Sequence, residues 1–290
     1  MSKMKVLVLG AGGMAGHTIA LYFLKKGYDV TAFTTRPFSL CNKNIVGDAS
    51  DFGSLKQIIE KGEYRIIINC VGILNQFAEK NPQIAKKLNT DLPHFISGVI
   101  ETLPCKLIHM STDCVFAGNT GPYKENSVKD GKTVYDRTKA DGEIVDDKNL
   151  TFRNSIIGPD IKPDGIGLLN WFMKQKTSVR GFTKAIWTGV TTLTLAKAMD
   201  AAIQQNLCGL YNLVNDQSIS KYDLLQLFNK YCKSNPIEII PSDELVLDKT
   251  LICTRTDFHF KVPSYEQMVI EMKEWIDGHK NIYPDYYNYG

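Results

Sequence analysis

The sequence predicts an α/β protein built around a doubly wound parallel sheet, with a smaller α/β region in its C-terminal half. Three observations predict it. Short apolar or β-branched runs alternate with helical patterns through the first 155 residues, as strands joined by crossover helices do. An apolar run near the N-terminus leads directly into a glycine-rich turn and then a helical stretch. Beyond residue 155 the alternation loosens, and turn chemistry such as Gly158-Pro159 and Lys162-Pro163-Asp164-Gly165 becomes frequent.

Taken in order, Lys5–Leu9 is almost wholly apolar, which fits a strand buried on both faces. His17–Lys26 has helical composition and ends at Gly27, a good C-terminal stop. Tyr28–Phe33 is the next strand, a third ends near Val46, and Ser54–Lys61 returns as a helix. Strands at Arg65–Asn69 and Lys106–Met110 flank a long helical stretch, Gln83–Glu101. Tyr135–Val145 reads as a helix and Leu150–Arg153 as a strand. In the second half, Gly189–Gln205 is a helix, Tyr211–Val214 a strand, and Lys221–Cys232 and Ser264–Ile276 are helices. The aromatic tail Tyr283–Gly290 either packs on the body or frays. The expected division is 1–155 and 156–290, with some later segments returning to the core of the first part.

The chain has 290 residues, 43% hydrophobic and 22% charged, with a formal net charge of +3. A chain of this length buries roughly 75% of its unfolded surface. One large or two intimately packed domains are expected, and disorder is excluded. Lys86-Lys87 is the densest basic spot and reads as a solvated helix face, so no nucleic-acid partner is expected. The seven cysteines lack any C-x-x-C pair, and their odd number suits a reducing compartment. The five histidines lack metal-ligand spacing, so no metal is expected. Val6–Leu24 carries no formal charge and partly resembles a signal peptide or membrane span. Four glycines interrupt it and Lys25-Lys26 closes it, so a cytoplasmic protein without a membrane partner is expected.

The glycine loop Gly10-Ala-Gly-Gly13-Met14-Ala-Gly16 follows a strand and opens a helix, the context in which such a loop cradles a dinucleotide. Its spacing is G-x-x-G-x-x-G. Glycine serves where the backbone needs positive φ or must approach a pyrophosphate, and the helix start directs N–H groups at the phosphates. This is a Rossmann-type arrangement. At the end of the second strand, where NAD enzymes carry an acid for the ribose hydroxyls, stand Thr34, Thr35 and Arg36. Two hydroxyls and a guanidinium suit a 2′-phosphate, so NADP(H) is expected over NAD(H).

Tyr135 and Lys139 are four residues apart and share one helix face. An ammonium beside a phenol stabilises phenolate, and lowering the phenol by roughly 3 units requires about 4 kcal/mol. Tyr22 and Lys26 repeat the spacing on the first helix. What distinguishes the later pair is Ser111-Thr112-Asp113-Cys114-Val115-Phe116, at the carboxyl end of a strand where ligands of such sheets bind. Its hydroxyls are candidates to hold the substrate oxygen that Tyr135 protonates.

Together these residues resemble the extended short-chain dehydrogenase/reductase family, and within it the dTDP-4-dehydrorhamnose reductases and their relatives. The resemblance runs over Gly10–Gly16, Gly47-Asp48, Asn69–Gly72, Leu88-Asn89, Ser111–Asp113, Val115–Gly118, Gly121–Glu125, Val134–Lys139 and Phe152–Ser155. It implies Thr112 as the catalytic hydroxyl, Tyr135 as general acid, and Lys139 as the group that holds ribose and lowers the Tyr pKa. It places Asp48 and Ala49 near the adenine and Cys70, Val71 and Gly72 along the ribose and phosphates. Met14, Asn89 and Met110 also fall against the cofactor, and Asp113 and Asn154 against the substrate. Residues 1–155 are then the NADP(H)-binding part and 156–290 mainly the substrate-binding part.

Two departures stand out. Related dehydratases carry Asp-Glu after the catalytic Thr, whereas this chain has Asp113-Cys114, which disfavours dehydration. Where rhamnose enzymes set an aromatic against the ligand, this chain has Ile156, so Trp187 becomes the candidate for stacking. The expected activity is NADPH-dependent reduction of a nucleotide-linked 4-keto-6-deoxy sugar for cell-surface polysaccharide, and the resemblance implies a homodimer. An NAD-dependent nucleotide-sugar epimerase and a non-catalytic NADP(H)-binding regulator of the same fold are the alternatives.

Overall fold

A computed structural model describes residues 3–284 and 286. The first half runs β1 (Lys5–Leu9), α1 (Met14–Lys25), β2 (Asp29–Thr34), β3 (Lys43–Val46), α2 (Phe52–Gly62) and β4 (Ile66–Asn69). Then follow α3 (Asn75–Lys80), α4 (Pro82–Ala85), α5 (Leu92–Val99), β5 (Lys106–Met110), α6 (Val134–Asp141) and β6 (Leu150–Arg153). Next come β7 (Ile156–Ile157), α7 (Leu168–Met173), β8 (Val179–Phe182), β9 (Ala185–Trp187), β10 (Val190–Thr191) and α8 (Thr192–Gln204). The remainder is β11 (Gly209–Asn212), β12 (Ile219–Ser220), α9 (Lys221–Tyr231), β13 (Ile239–Ser242), β14 (Leu247–Asp248) and α10 (Tyr265–Asp277).

Seven strands form one sheet in the order β11-β6-β5-β4-β1-β2-β3, and every pairing in it is parallel. The sheet is covered on both faces, which explains why its strands read as unbroken apolar runs. Val6 and Val8 of β1 join Ile66, Ile68 and Ile108 in the core on one face. Leu7 and Leu9 point the other way, into a core with Leu55, Ile67 and Leu107. The chain reverses its winding between β1 and β4. That point opens the crevice at the carboxyl ends of the strands.

Some expected elements differ in extent. The stretch expected as one helix over Gln83–Glu101 is α4 and α5 joined by a π-helical turn, Lys86–Asp91. The helix expected to reach Val145 stops at Asp141, because Glu143 turns inward to meet Arg153. The first residues of Gly189–Gln205 are strand β10, paired with β7, and Thr191 then caps α8 by accepting from Thr194 N. Strands β8, β9 and β12 to β14 are only two to four residues long. Of the aromatic tail, Tyr283 and Tyr286 are buried, while Asp285 and residues 287–290 lie outside the described residues. Among the described residues no helix is long and apolar enough to cross a membrane, and no cluster of three metal-ligating side chains occurs.

Candidate active site

The glycine loop is built around Gly10, whose φ of 75° lies in the left-handed region. A side chain at Gly16 would place its Cβ 2.2 Å from the Gly10 carbonyl oxygen, so this glycine lets α1 pack on the loop. A Cβ at Gly13 would meet only that same oxygen, at 3.4 Å, which leaves its outer face open to a ligand. No side chain caps α1, so its first N–H groups remain available to phosphate. These features fit a dinucleotide pyrophosphate. Gly16→Ala is expected to lower the melting temperature and abolish NADP(H) binding, whereas Gly13→Ala should lose binding with an unchanged melt; thermal denaturation and fluorescence titration check the pair.

His17 anchors the loop from beneath. Its Nδ1 donates to Gly13 O at 2.8 Å, so its Nε2 accepts from the Tyr283 hydroxyl at 2.7 Å. Trp275 Nε1 donates to the same hydroxyl at 3.1 Å. Burial pushes the imidazole down to about 4, so it stays neutral.

At the adenosine end, Thr34 does not offer its hydroxyl to a 2′-phosphate. It donates to Arg36 O at 2.6 Å and accepts from Asn44 Nδ2 at 2.8 Å, shaping the turn that presents exposed Thr35 and Arg36. Asp48 is exposed and caps Ser50 N, while Ala49 is buried in the core under α2.

Asn89 does not reach out to a cofactor either. Its side chain is fully buried, accepts from Ile73 N at 2.8 Å, and donates to Ile73 O and to Thr138 Oγ1. It clamps the loop carrying Cys70, Val71 and Gly72 to α6. Burial pushes the Cys70 thiol up to about 12.

Helix α6 starts with a capping box: Thr133 accepts from Asp136 N, and the Asp136 carboxylate accepts from Thr133 N. Its first turn therefore holds Tyr135 firmly, and one turn later Lys139 is buried beneath it. Lys139 Nζ donates to Met110 O at 2.5 Å, and His109 Nε2 lies 3.5 Å away. Met110 thus enters the site through its carbonyl. Burial pushes Lys139 down to about 8, against the nearby Glu143 carboxylate. The Tyr135 phenol moves the opposite way from the expectation. Burial raises it above the ordinary range, Cys114 and Asp113 add to the rise, and a hydrogen bond with Thr112 opposes it. A desolvated phenol beside acidic neighbours holds its proton.

Of the two hydroxyls following β5, the one on Ser111 is committed, donating to Glu143 Oε1 at 2.6 Å. Thr112 is the one that meets Tyr135, and it also donates to Asp113 Oδ1 at 3.1 Å. Asp113 is buried and its carboxyl is raised by desolvation, partly offset by Lys221 and Lys249. Cys114, which replaces the dehydratase acid, is pushed up to about 12 by burial and by Asp113.

Trp187 is 3% exposed and packs against Tyr265, with the Lys221 ammonium 4.8 Å from its ring centroid. It is therefore a core aromatic whose ring is covered by Lys221, not a free stacking platform. Among the described residues, Trp187 Nε1 and Asn154 Nδ2 are the buried side-chain polar atoms without a partner. Such groups are costly unless something else satisfies them. The other Tyr/Lys pair, Tyr22 and Lys26, sits on α1 beside Asp200, away from these groups.

Three residues of the site escaped sequence reasoning. Lys221 is the first residue of α9 and reaches the site because β12 pairs with β9, a contact invisible in spacing. His109 is the penultimate residue of β5 and reads as one more strand position. Glu143 was detectable: Arg153 ends an otherwise uncharged strand, and a buried guanidinium needs a carboxylate.

Comparison with known proteins matches residues 4–247 to the RmlD substrate binding domain family. A dTDP-4-dehydrorhamnose reductase of Mycobacterium tuberculosis is 28% identical over 145 residues, 48% of this chain and 44% of that protein. The chain thus matches less than half the length of that relative. The probable low-salt glycan biosynthesis reductase Agl14 of Haloferax volcanii is 24% identical over 265 residues, 86% of this chain and 84% of that protein. The dTDP-4-dehydrorhamnose reductase of Bacillus anthracis, solved in complex with NADP, superposes with a TM-score of 0.78 at 18% identity, over 95% of this chain and 100% of that one.

Proposed function

The chain belongs to the RmlD substrate binding domain family, and from that membership we propose that it reduces the 4-keto group of a nucleotide-linked 6-deoxy sugar with NADPH. The observation that carries this reading is the buried meeting of Thr112 with Tyr135 at the carboxyl edge of β5, one helical turn from Lys139. NADPH, when bound, supplies the hydride. Gly10, Gly13 and Gly16 with the start of α1 take its pyrophosphate, and exposed Arg36 with Thr35 takes its 2′-phosphate.

Tyr135 keeps its proton at neutral pH and delivers it to the C4 oxygen as charge develops there, the work of a general acid. Thr112 orients that oxygen. The Lys139 ammonium stabilises the phenolate that Tyr135 becomes. Asp113, Asn154 Nδ2 and Trp187 Nε1 offer one acceptor and two unpaired donors for the sugar nucleotide, with Lys221 and Lys249 supplying positive charge for its diphosphate. Cys114 supplies no base of the dehydratase kind, because its thiol stays protonated.

The test is the loss of NADPH absorbance with a panel of dTDP-, UDP- and GDP-linked 4-keto-6-deoxy sugars. Turnover on at least one is expected; no turnover on any of them, in protein that binds NADPH, would overturn the reading. In the same assay Arg36→Ala is expected to weaken NADPH binding by about tenfold or more, as loss of a charged hydrogen bond does, and to leave NADH unchanged.

A further inference from the structure

Behind Lys139 runs a row of hydrogen bonds for which the reduction itself has no use. Val71 N–H donates to Asn69 Oδ1 at 3.1 Å. This fixes which way the Asn69 amide faces, and its Nδ2 lies 3.2 Å from His109 Nδ1. An amide nitrogen carries only donors, so His109 Nδ1 must accept. The proton of the neutral ring is then on Nε2, and Nε2 faces Lys139 Nζ at 3.5 Å. Asn69 and His109 are fully buried and Lys139 nearly so, which keeps bulk water from reorienting the row.

A ring N–H aimed at an ammonium sets two donors against each other. Aimed at a neutral amine, it meets a lone pair. We propose that His109 is a positioning residue for Lys139, its Nε2–H directed by Asn69 and the Val71 amide so that the lysine nitrogen is favoured as a neutral acceptor while it donates to Met110 O. The proposal rests on the reductase reading only in giving Lys139 its partner Tyr135. The geometry of the row stands without it.

The other groups around the pair do not supply this effect. Glu143 favours the ammonium, and its carboxylate is also engaged by Arg153, Ser111 and Lys129. The Cys70 thiol, held up near 12, is neutral at physiological pH. His94 and Lys139 both push His109 away from protonation, in the same direction as burial, so the ring stays neutral beside the lysine. His109 is thus a fixed neutral donor that lowers the pH at which Lys139 gives up its proton.

The tautomer is read directly by long-range proton–nitrogen NMR of the histidine-labelled protein, without substrate. The Nε2–H form is expected through neutral pH. A ring protonated on Nδ1, or on both nitrogens, would overturn the proposal. The second arm follows the Cε signal of Lys139 against pH. In His109→Gln the amide can turn its oxygen to the lysine, and the midpoint is expected to move up by about one pH unit. An unchanged midpoint in folded His109→Gln protein would also overturn it. A solely structural role for His109 would shift stability and leave that midpoint in place. Because neither arm uses turnover, failure of the reductase reading shows separately, as no NADPH oxidation by protein with the expected tautomer.

Discussion

Tyr135→Phe is expected to lower turnover of the 4-keto sugar nucleotide by about 10²–10⁴-fold, the usual contribution of a positioned general acid, while NADPH binds close to its wild-type affinity. The phenyl ring refills the same buried position at the start of α6, and the capping box that positions it is untouched. What is lost is the phenol proton that faces Thr112. Steady-state NADPH oxidation, a fluorescence titration and a thermal melt together check the prediction. A fall below tenfold in a folded variant would mean that another group, or water, delivers the proton. The pH dependence should show the same machinery from the other side. Activity that needs the Lys139 ammonium is retained below about 8, to which burial lowers it, and declines above that value.

The second large effect is on stability. Glu143 and Arg153 form a bidentate pair, Nε to Oε1 and Nη2 to Oε2, both at 2.8 Å, with each side chain 1% exposed. Glu143→Gln leaves the guanidinium buried without its counter-charge, and breaking such a pair costs about 3–5 kcal/mol. Arg153→Met should cost less, because Glu143 keeps Lys129 at 3.2 Å and the Ser111 hydroxyl. The double substitution should cost less than the sum of the singles, as coupled neighbours do. Denaturant unfolding of the three variants measures this. The pair also has a pH sign. The Glu143 carboxyl sits below its usual value in the folded protein, mainly through Arg153 and in spite of burial. Its contribution is therefore full above the ordinary carboxylate value of about 4.5 and is lost as pH falls through the folded value. Ser111, the residue before Thr112, ties this pair to the site through its bond to Glu143, so activity is expected to fall with stability.

The parts of the site legible in sequence are those whose chemistry depends on neighbours along the chain. Gly10, Gly13 and Gly16 follow a strand and open a helix, so their spacing carries their role. Tyr135 and Lys139 are one turn apart, and the apolar runs of β1, β4 and β5 mark a sheet covered on both faces. Legibility fails where a side chain's partner is far along the chain. Asn89 resembled a cofactor residue by position, yet its amide is used up on Ile73 and Thr138. Thr34 lost its expected ligand to the turn that it stabilises. Trp187 is placed by a strand pairing between three-residue and two-residue segments, too short to leave any periodicity. The phenol of Tyr135 departs from expectation for a different reason: spacing shows the nearby ammonium but not the burial, and burial dominates.

The bond between His17 and Tyr283 has a consequence for the order in which this protein can be made. The two residues are separated by 266 positions, and β11 joins the main sheet only after more than two hundred residues have been synthesised. During translation, an emerging N-terminal half lacks the Tyr283 hydroxyl that donates to His17 Nε2 and has an open sheet edge beside β6. Contacts this distant in sequence close late and slowly. The nucleotide loop therefore gains its last anchor from a residue 266 positions downstream, and the loop as folded here is complete only once Tyr283 has been made.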